Sequence, residues 1–493
     1  MNQQKYRVAV RSTSVIGGAA FFSILIGLLR TKVVAVLLGP AGMGLINLYT
    51  SLISPISTIA NMGFHTSGVR SIADQQNDSE ALSLVVKSLR RLVWLTGAIG
   101  CAVTVLLSPE LSAVTFNSNE HAADIAFLGI VVLFSNLSMG QVCLLQGTRR
   151  IADLARANIW GAVNAAMLSL PCLWLWGNRG ITASLVLSAF AVLLTTWWFA
   201  KSVDTANVVV STSSFIKEAK KLLVLGLPVM ATAVQTALAA YIIRLIIAGQ
   251  FGLEGVGIWS AAFTISGGLA NFVLHAIGTD YYPRLVAASK NDKLLNEEVN
   301  TQLEVGLLLS LPALVATIMF APPGIAILYS GKFDAAIPVL RWYVFGIWGR
   351  VVSWPLSYIM LARGRGKLFF LVELSANIFH ISAIYYCTQT WGLPGTGVGF
   401  MLLYLYYIVL TAITGRCIAG TKLSNTNLSL ICVTLCTLAT ASFCSFYMTE
   451  KLLYYILSAA FVALLSWKVY GRLSILTGFS LPGIWKTIRK KPE

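Results

Sequence analysis

Long apolar segments alternate with short polar ones along the whole chain. A membrane-spanning helix needs about 20 predominantly apolar residues, and fourteen segments approach or exceed that length. They are rich in Leu, Ala and Gly and lack the strict alternation of barrel strands. We therefore predict fourteen transmembrane helices, over residues 13–38, 45–64, 84–107, 125–145, 154–176, 181–200, 222–248, 256–278, 305–321, 337–361, 368–390, 395–418, 428–448 and 452–469.

Composition agrees with this pattern. The 493 residues are 57% hydrophobic and 11% charged, with a mean hydropathy of +0.76, which excludes a soluble globular protein. The net charge of +17 would suggest nucleic acid in a soluble chain. Here the basic residues form short clusters between spans, where membrane orientation explains them, so we predict no nucleic-acid partner.

The basic residues are distributed unequally between the two sets of loops. Of the 36 Lys and Arg residues, 28 lie in the termini and the alternate loops on one side of the predicted membrane. The loops on the other side hold only Arg179, Lys332 and Lys451. Basic loops face the cytoplasm, so we predict that both termini are cytoplasmic and that the number of spans is even.

An internal repeat divides the chain. Three pairs of segments recur in the same order and at a nearly constant offset: GxxGxG at 39–44 and 252–257, Pro to aromatic at 109–116 and 322–329, and Trp-Gly-x-x-Gly at 176–180 and 391–395. The GxxGxG segments lack the βαβ context of a nucleotide site. Because the offset contains six spans, the two halves share one orientation in the membrane.

The repeat predicts an all-α membrane protein with two six-helix lobes related by a parallel pseudo-repeat. We place the N-terminal lobe at 1–205 and the C-terminal lobe at 206–422. Residues 423–493 form an extra helix pair and a basic cytoplasmic tail.

Three arginines interrupt the apolar spans: Arg30 in the first, Arg244 in the seventh and Arg350 in the tenth. A charged residue at the centre of a spanning helix costs about 2.5–3.5 kcal/mol on insertion scales, so such residues face water, a partner or a ligand. Guanidinium groups suit phosphate, which they bind in a two-pronged manner. Arg30 and Arg244, whose separation matches the offset of the repeat, are expected to face each other between the lobes. The alternative is that these arginines reach the interface or pair with carboxylates.

Three further charged residues complete the candidate site. Lys32 is a possible fourth substrate-binding cation, or else a side chain that extends to the membrane edge. Glu373 in the eleventh span and Asp280 at the end of the eighth are candidates for coupling to an ion. Their alternative roles are a permanent ion pair between Glu373 and Arg350, and a helix-end role for Asp280.

The chain offers no pattern of catalytic or metal-binding residues. The four histidines are scattered, and the eight cysteines form no CxxC pair or Cys/His cluster. Nucleophile–base pairs and phosphate-binding loops are also missing from the sequence. We predict no enzyme, no metal and no cofactor.

Several segments resemble one family, the Wzx-type flippases of the polysaccharide transport family, which translocate O-antigen and lipid III. The resemblance is carried by the sequences at 29–44, 255–259, 282–285 and 349–373, and extends to about Gly420. It implies the multidrug/oligosaccharidyl-lipid/polysaccharide exporter fold, with two six-helix lobes and alternating access. Arg30, Arg350 and Glu373 stand where the family tends to have charge.

The resemblance also implies a substrate and a location. The substrate would be an undecaprenyl-pyrophosphate-linked oligosaccharide, moved from the cytoplasmic to the periplasmic leaflet of the bacterial inner membrane, with an ion gradient as the energy source. A polysaccharide polymerase and a chain-length regulator would be partners in the same membrane. Two relatives stay open as alternatives, a lipid II flippase and a multidrug antiporter. A membrane glycan polymerase or ligase fits less well, because the outer loops are short.

Overall fold

The structure, a computed structural model, describes residues 2–203, 210–447 and 451–477, with side chains in 22–203, 210–268, 274, 281–446 and 452–474. All regular structure in these ranges is helical, and the protein is an all-α integral membrane protein, as predicted. Its helices are α1 (Asn2–Asn61), α2 (Phe64–Asp74), α3 (Ser79–Leu106), α4 (Ser108–Phe116), α5 (Ala122–Gly147), α6 (Ile151–Trp176), α7 (Ile181–Ala200), α8 (Thr212–Ala288), α9 (Asp292–Met319), α10 (Ala321–Leu328), α11 (Ala336–Ala362), α12 (Gly366–Trp391), α13 (Gly395–Ala419), α14 (Asn425–Tyr447) and α15 (Lys451–Thr477).

The predicted spans coincide with these helices. Within the described residues, eleven helical stretches are long and apolar enough to cross a membrane. Three of them, Phe22–Asp74, Ile151–Ala200 and Thr212–Gly268, each overlap two predicted spans, and the other eight overlap one each. Every predicted span therefore has a helical counterpart.

Two glycines break the long helices α1 and α8 without a loop between the spans. Gly39 has φ 66° and ψ −169°, and Gly252 has φ 65° and ψ −171°. This left-handed φ favours glycine, which has no Cβ. In α1 the next residue is Pro40, whose fixed φ suits the first turn of the following helix. Each kink lies at the first glycine of its GxxGxG segment, so the two kinks correspond within the sequence repeat.

Other details of the backbone recur in the same register. Asp78 caps α3 by accepting from the amides of Glu80 and Ala81, and Asn291, at the corresponding position of the second half, caps α9 in the same manner. Gly177 and Gly392, both with positive φ, end α6 and α12 and belong to the two Trp-Gly-x-x-Gly segments. The two halves of the repeat therefore share backbone conformation as well as sequence.

Sequence patterns missed parts of the helical structure that lie outside the apolar spans. Helix α9 begins at Asp292, after the Asn291 cap, well before the predicted span at 305. The prediction missed these first turns because they are polar. The short helix α2 buries Phe64 and Ile72 on one face while Arg70 is exposed on the other. Such amphipathic segments are too polar for a search based on spans.

The chain forms two compact units. The first contains Met1–Gly257 with Leu328–Ser330, and the second contains Ile258–Ile327 with Gly331–Glu493. The division falls inside α8, so the first part of this helix belongs to the same unit as α1 to α7. The boundaries that we predict for the lobes, at 205 and 422, stay predictions.

Close backbone packing in the first unit depends on two glycines of the repeat. A Cβ added at Gly44 would overlap the carbonyl of Leu253, and one added at Gly257 would overlap the carbonyl of Pro40. The two contacts are reciprocal, since each joins the last glycine of one GxxGxG segment to the second residue of the other. Only glycine allows the two kinked segments to approach this closely.

We expect Gly44→Ala to destabilise the protein by about 1–3 kcal/mol, because the added methyl group forces the two backbones apart. Gly249→Ala is the matched control, since nothing lies within 4 Å of a Cβ at Gly249. The measurement is the free energy of unfolding in mild detergent. Equal stability of the two variants would show that the close contact is not required.

Candidate functional site

Arg30 lies on α1, before the kink at Gly39, and is partly buried. Its Nη2 donates to Oγ of Ser188 on α7 at 2.8 Å, and that hydroxyl donates to the carbonyl of Ser184 at 2.6 Å. Among the residues whose side chains are described, no carboxylate lies within 4.0 Å of this guanidinium. Its partner is a neutral hydroxyl, so the part of the chain whose side chains are described offers this guanidinium no direct ion pair.

Lys32 lies on the same helix and is also partly buried. Its Nζ donates to the backbone carbonyl of Tyr329, the residue that follows α10. A carbonyl at the end of a helix has no partner within that helix, so an ammonium group satisfies it well. The contact gives Lys32 a structural role at this site.

Arg244 on α8 donates from Nη1 to the carbonyl of Ala240, one turn earlier on its own helix, at 2.9 Å. The register of the kinks, Gly39 with Gly252, pairs Arg30 with Ile243 rather than with Arg244. Neighbouring residues of an α-helix point in directions about 100° apart, so Arg244 points away from the direction that corresponds to Arg30. The similar places of the two arginines along the two halves therefore do not make them equivalent within the repeat.

Arg350 and Glu373 lie close together in the second unit, on α11 and α12. They interact electrostatically, although no carboxylate in the described part of the chain lies within 4.0 Å of Arg350. Glu373 accepts a hydrogen bond from the buried hydroxyl of Tyr407 on α13, and Arg350 also interacts with Tyr404. The direct ion pair that we considered from the sequence is replaced by a wider polar group, the Arg350–Glu373–Tyr407 cluster.

Two glycines of α11 bring α13 close to this cluster. A Cβ at Gly346 would overlap the ring of Phe400, and one at Gly349 would lie 2.8 Å from Cβ of Tyr404. Phe400 in turn stacks on Tyr343, with ring centroids 4.6 Å apart. The aromatic side chains of α13 therefore pack directly against the helix that carries Arg350.

Two polar residues of α12, Asn377 and His380, lie near Glu373 on the helix, although the sequence analysis did not group them with it. Asn377 and His380 follow Glu373 at intervals of four and seven positions, so all three lie on one face of the helix. Asn377 Nδ2 and His380 Nε2 are buried and have no hydrogen-bond partner among the described residues. The intervals of four and seven positions between polar residues of an apolar helix could have revealed this face from the sequence. The sequence analysis instead treated His380 as one of four scattered histidines.

The candidate residues therefore fall into two groups. Arg30, Lys32 and Arg244 belong to the first compact unit, and Arg350 with Glu373 belongs to the second. The side chain of Asp280 lies outside the described residues, so its role stays a prediction.

Comparison with known proteins identifies the family. Residues 33–338 match the family described as polysaccharide biosynthesis protein. The chain belongs to this family. The match includes Arg244 and ends before Arg350, and it confirms the resemblance noted in the sequence.

Two relatives of the chain are lipid III flippases, from Escherichia coli (strain K12) and Shigella flexneri. Each is 23% identical over 397 residues, covering 78% of this chain and 92% of the relative.

Solved structures show the same fold. The lipid II flippase MurJ in an inward closed conformation superposes with a TM-score of 0.73 at 12% identity, covering 93% of this chain and 98% of that one. An inward-facing multidrug resistance MATE transporter of the MOP superfamily gives a TM-score of 0.68 at 17% identity, covering 81% and 96%. The chain thus has the exporter fold that the resemblance implies.

We expect Tyr407→Phe to lower the free energy of unfolding by about 1.5–3 kcal/mol, because it removes the hydroxyl that donates to the Glu373 carboxylate. Tyr406→Phe is the control, since its hydroxyl makes only a 3.5 Å contact with Ser375. Denaturant titration in detergent measures both. Equal losses would mean that the bond to Glu373 contributes nothing specific.

Proposed function

We propose that this protein is a flippase that moves an undecaprenyl-pyrophosphate-linked oligosaccharide across the bacterial inner membrane. The movement runs from the cytoplasmic to the periplasmic leaflet by alternating access, and both termini lie in the cytoplasm. The substrate is a polysaccharide repeat unit, such as that of O-antigen.

One observation carries the proposal: the guanidinium of Arg30 lies within an apolar helix, and its partner among the described side chains is a hydroxyl and not a carboxylate. A cation in such a place is costly unless an anion can bind to it. A pyrophosphate offers two phosphate groups to the planar donors of arginine. Exchange of the Ser188 hydroxyl for a phosphate oxygen would replace a neutral acceptor of the guanidinium by an anionic one, which binds it more strongly.

The comparisons support the same class of substrate. Membership in a polysaccharide biosynthesis family and two lipid III flippases as relatives favour a lipid-linked glycan over a cationic drug. They also favour a transporter over a membrane polymerase or ligase. The pyrophosphate then binds to the buried cations, the glycan moves in water, and the polyprenyl chain stays in lipid.

The other candidate residues take secondary roles in this proposal. Arg244 and Lys32 add positive charge in the first unit, and Arg350 adds it in the second. Glu373, which accepts a hydrogen bond from Tyr407 and lies close to Arg350, is the group that couples transport to an ion gradient. Asp280 is a second candidate for that role.

Arg30→Ala should abolish surface polysaccharide in a strain that depends on this protein, because the pyrophosphate loses its main cation. Arg30→Lys should retain partial activity, since it keeps the charge and loses the two-pronged geometry. Arg179→Ala, at an exposed position of the short 3₁₀ helix Gly177–Gly180, is the control. Surface glycan is measured by gel staining, with membrane insertion checked by immunoblot. Normal glycan in the Arg30→Ala strain would contradict the proposal.

Glu373→Gln should remove the dependence of transport on an ion gradient while leaving binding of the lipid-linked substrate largely unchanged. The neutral amide keeps a hydrogen bond with Tyr407, but it cannot exchange a proton and it lacks the negative charge that attracts a cation. Transport is measured in proteoliposomes with an imposed proton or sodium gradient. A variant that is still stimulated by either gradient would exclude Glu373 as the coupling group.

A further inference from the structure

A basic groove lies in the first unit, and none of the candidate transport residues lines it. It is a cavity of about 500 Å³ between the short helix α2 and the first turns of α8. The residues that line this basic groove are Arg70, Asp74, Lys217, Lys220, Lys221, Val224 and Leu225.

The two walls of the groove are fixed to each other by backbone and core contacts. A Cβ at Gly63, at the start of α2, would overlap the carbonyl of Gly226 on α8. Phe64 and Ile72 of α2 and Leu222 of α8 are fully buried in one hydrophobic cluster. The cations on the two helices are therefore held at a set position and do not merely share a flexible loop.

The charge of the groove is not balanced. Arg70, Lys217, Lys220 and Lys221 are all exposed, and Asp74 is the only acid among the lining residues. Within the described residues, no carboxylate lies within 4.0 Å of any of these four cations. Four like charges around one cavity repel each other, and an anion placed among them relieves that repulsion.

The position of the groove along α8 indicates what kind of anion fits. Lys217, Lys220, Lys221 and Val224 share one face of the helix, at intervals of three and four positions. The lysines end where the apolar span begins at Leu222, and the side chain of Val224, one turn further, is 63% exposed. The groove thus passes from a cationic end at headgroup level to an apolar end beside the acyl chains.

We propose that the basic groove binds the phosphate headgroup of a membrane lipid, with Arg70 and the three lysines on the phosphate and the lipid chain along Val224 and Leu225. The enrichment of basic residues at cytoplasmic loops accounts for lysines near a span, but not for four cations that share one cavity. The groove uses none of the candidate transport residues, so its test is separate from the test at Arg30. Both an anionic phospholipid and a polyprenyl pyrophosphate carry the chemistry that the groove recognises.

Native mass spectrometry of the full-length protein in detergent tests this with three probes: phosphatidylglycerol, undecaprenyl pyrophosphate and zwitterionic phosphatidylcholine. Combining Lys217→Gln, Lys220→Gln and Lys221→Gln should weaken binding of at least one of the two anionic lipids by tenfold or more. Phosphatidylcholine binding should change by less than twofold. Loss of phosphatidylglycerol binding alone identifies a phospholipid site, and loss of undecaprenyl pyrophosphate binding alone identifies a site for the substrate headgroup.

The control variant removes the same charge elsewhere, by Lys290→Gln, Lys293→Gln and Lys367→Gln, three exposed lysines of the second unit. It should bind both anionic lipids within twofold of the unmodified protein. A triple Lys→Arg variant at 217, 220 and 221 keeps the charge and should retain binding. Unchanged affinity in the first glutamine variant, or an equal loss in the control, would overturn the proposal. Neither result would bear on the Arg30 test.

Discussion

Helices in a bilayer gain little from hydrophobic burial against each other, because lipid tails are as apolar as their side chains. Their association depends instead on close packing at small residues. In the first unit, Gly44 and Gly257 allow the two kinked segments of the repeat to touch through their backbones. In the second unit, Gly346 and Gly349 allow α11 to approach the aromatic side chains of α13. The charged residue Arg350 follows directly after this contact, so packing at glycine determines where the charge lies.

The two compact units solve the problem of a charge in an apolar helix differently. Arg30 donates to the hydroxyl of Ser188, a neutral acceptor, and has no ion pair among the described side chains. Arg350 interacts electrostatically with Glu373, which accepts a hydrogen bond from Tyr407. The first arrangement suits the binding of an anion, while the second suits a group whose charge changes during a cycle.

Sequence patterns predicted the spans and the repeat well. The length of an apolar segment directly indicates a span, and glycines that recur at one offset directly indicate the repeat. Sequence patterns were less informative wherever tertiary neighbours decide the outcome. The place of Arg244 in the second half suggested equivalence to Arg30, because the three recurring segments differ slightly in their offsets. The kinks at Gly39 and Gly252 show that the register of the GxxGxG segments applies to these helices, and this register pairs Arg30 with Ile243. The contact between Glu373 and Tyr407 joins two helices whose facing sides cannot be read from periodicity. The early part of α9 was missed because it is helical without being apolar.

The polar face of α12 has a consequence for how the chain enters the membrane. Glu373, Asn377 and His380 would all face hydrocarbon if α12 were released alone into the bilayer. The described hydrogen-bond partner for this face comes from α13, through Tyr407, which is synthesised only after α12 is complete. Arg350 on α11 is already in place at that stage, so the polar face of α12 has its charged neighbour on one side first and its hydrogen-bond donor only when α13 arrives. This order favours insertion of the second half as a group of helices rather than helix by helix.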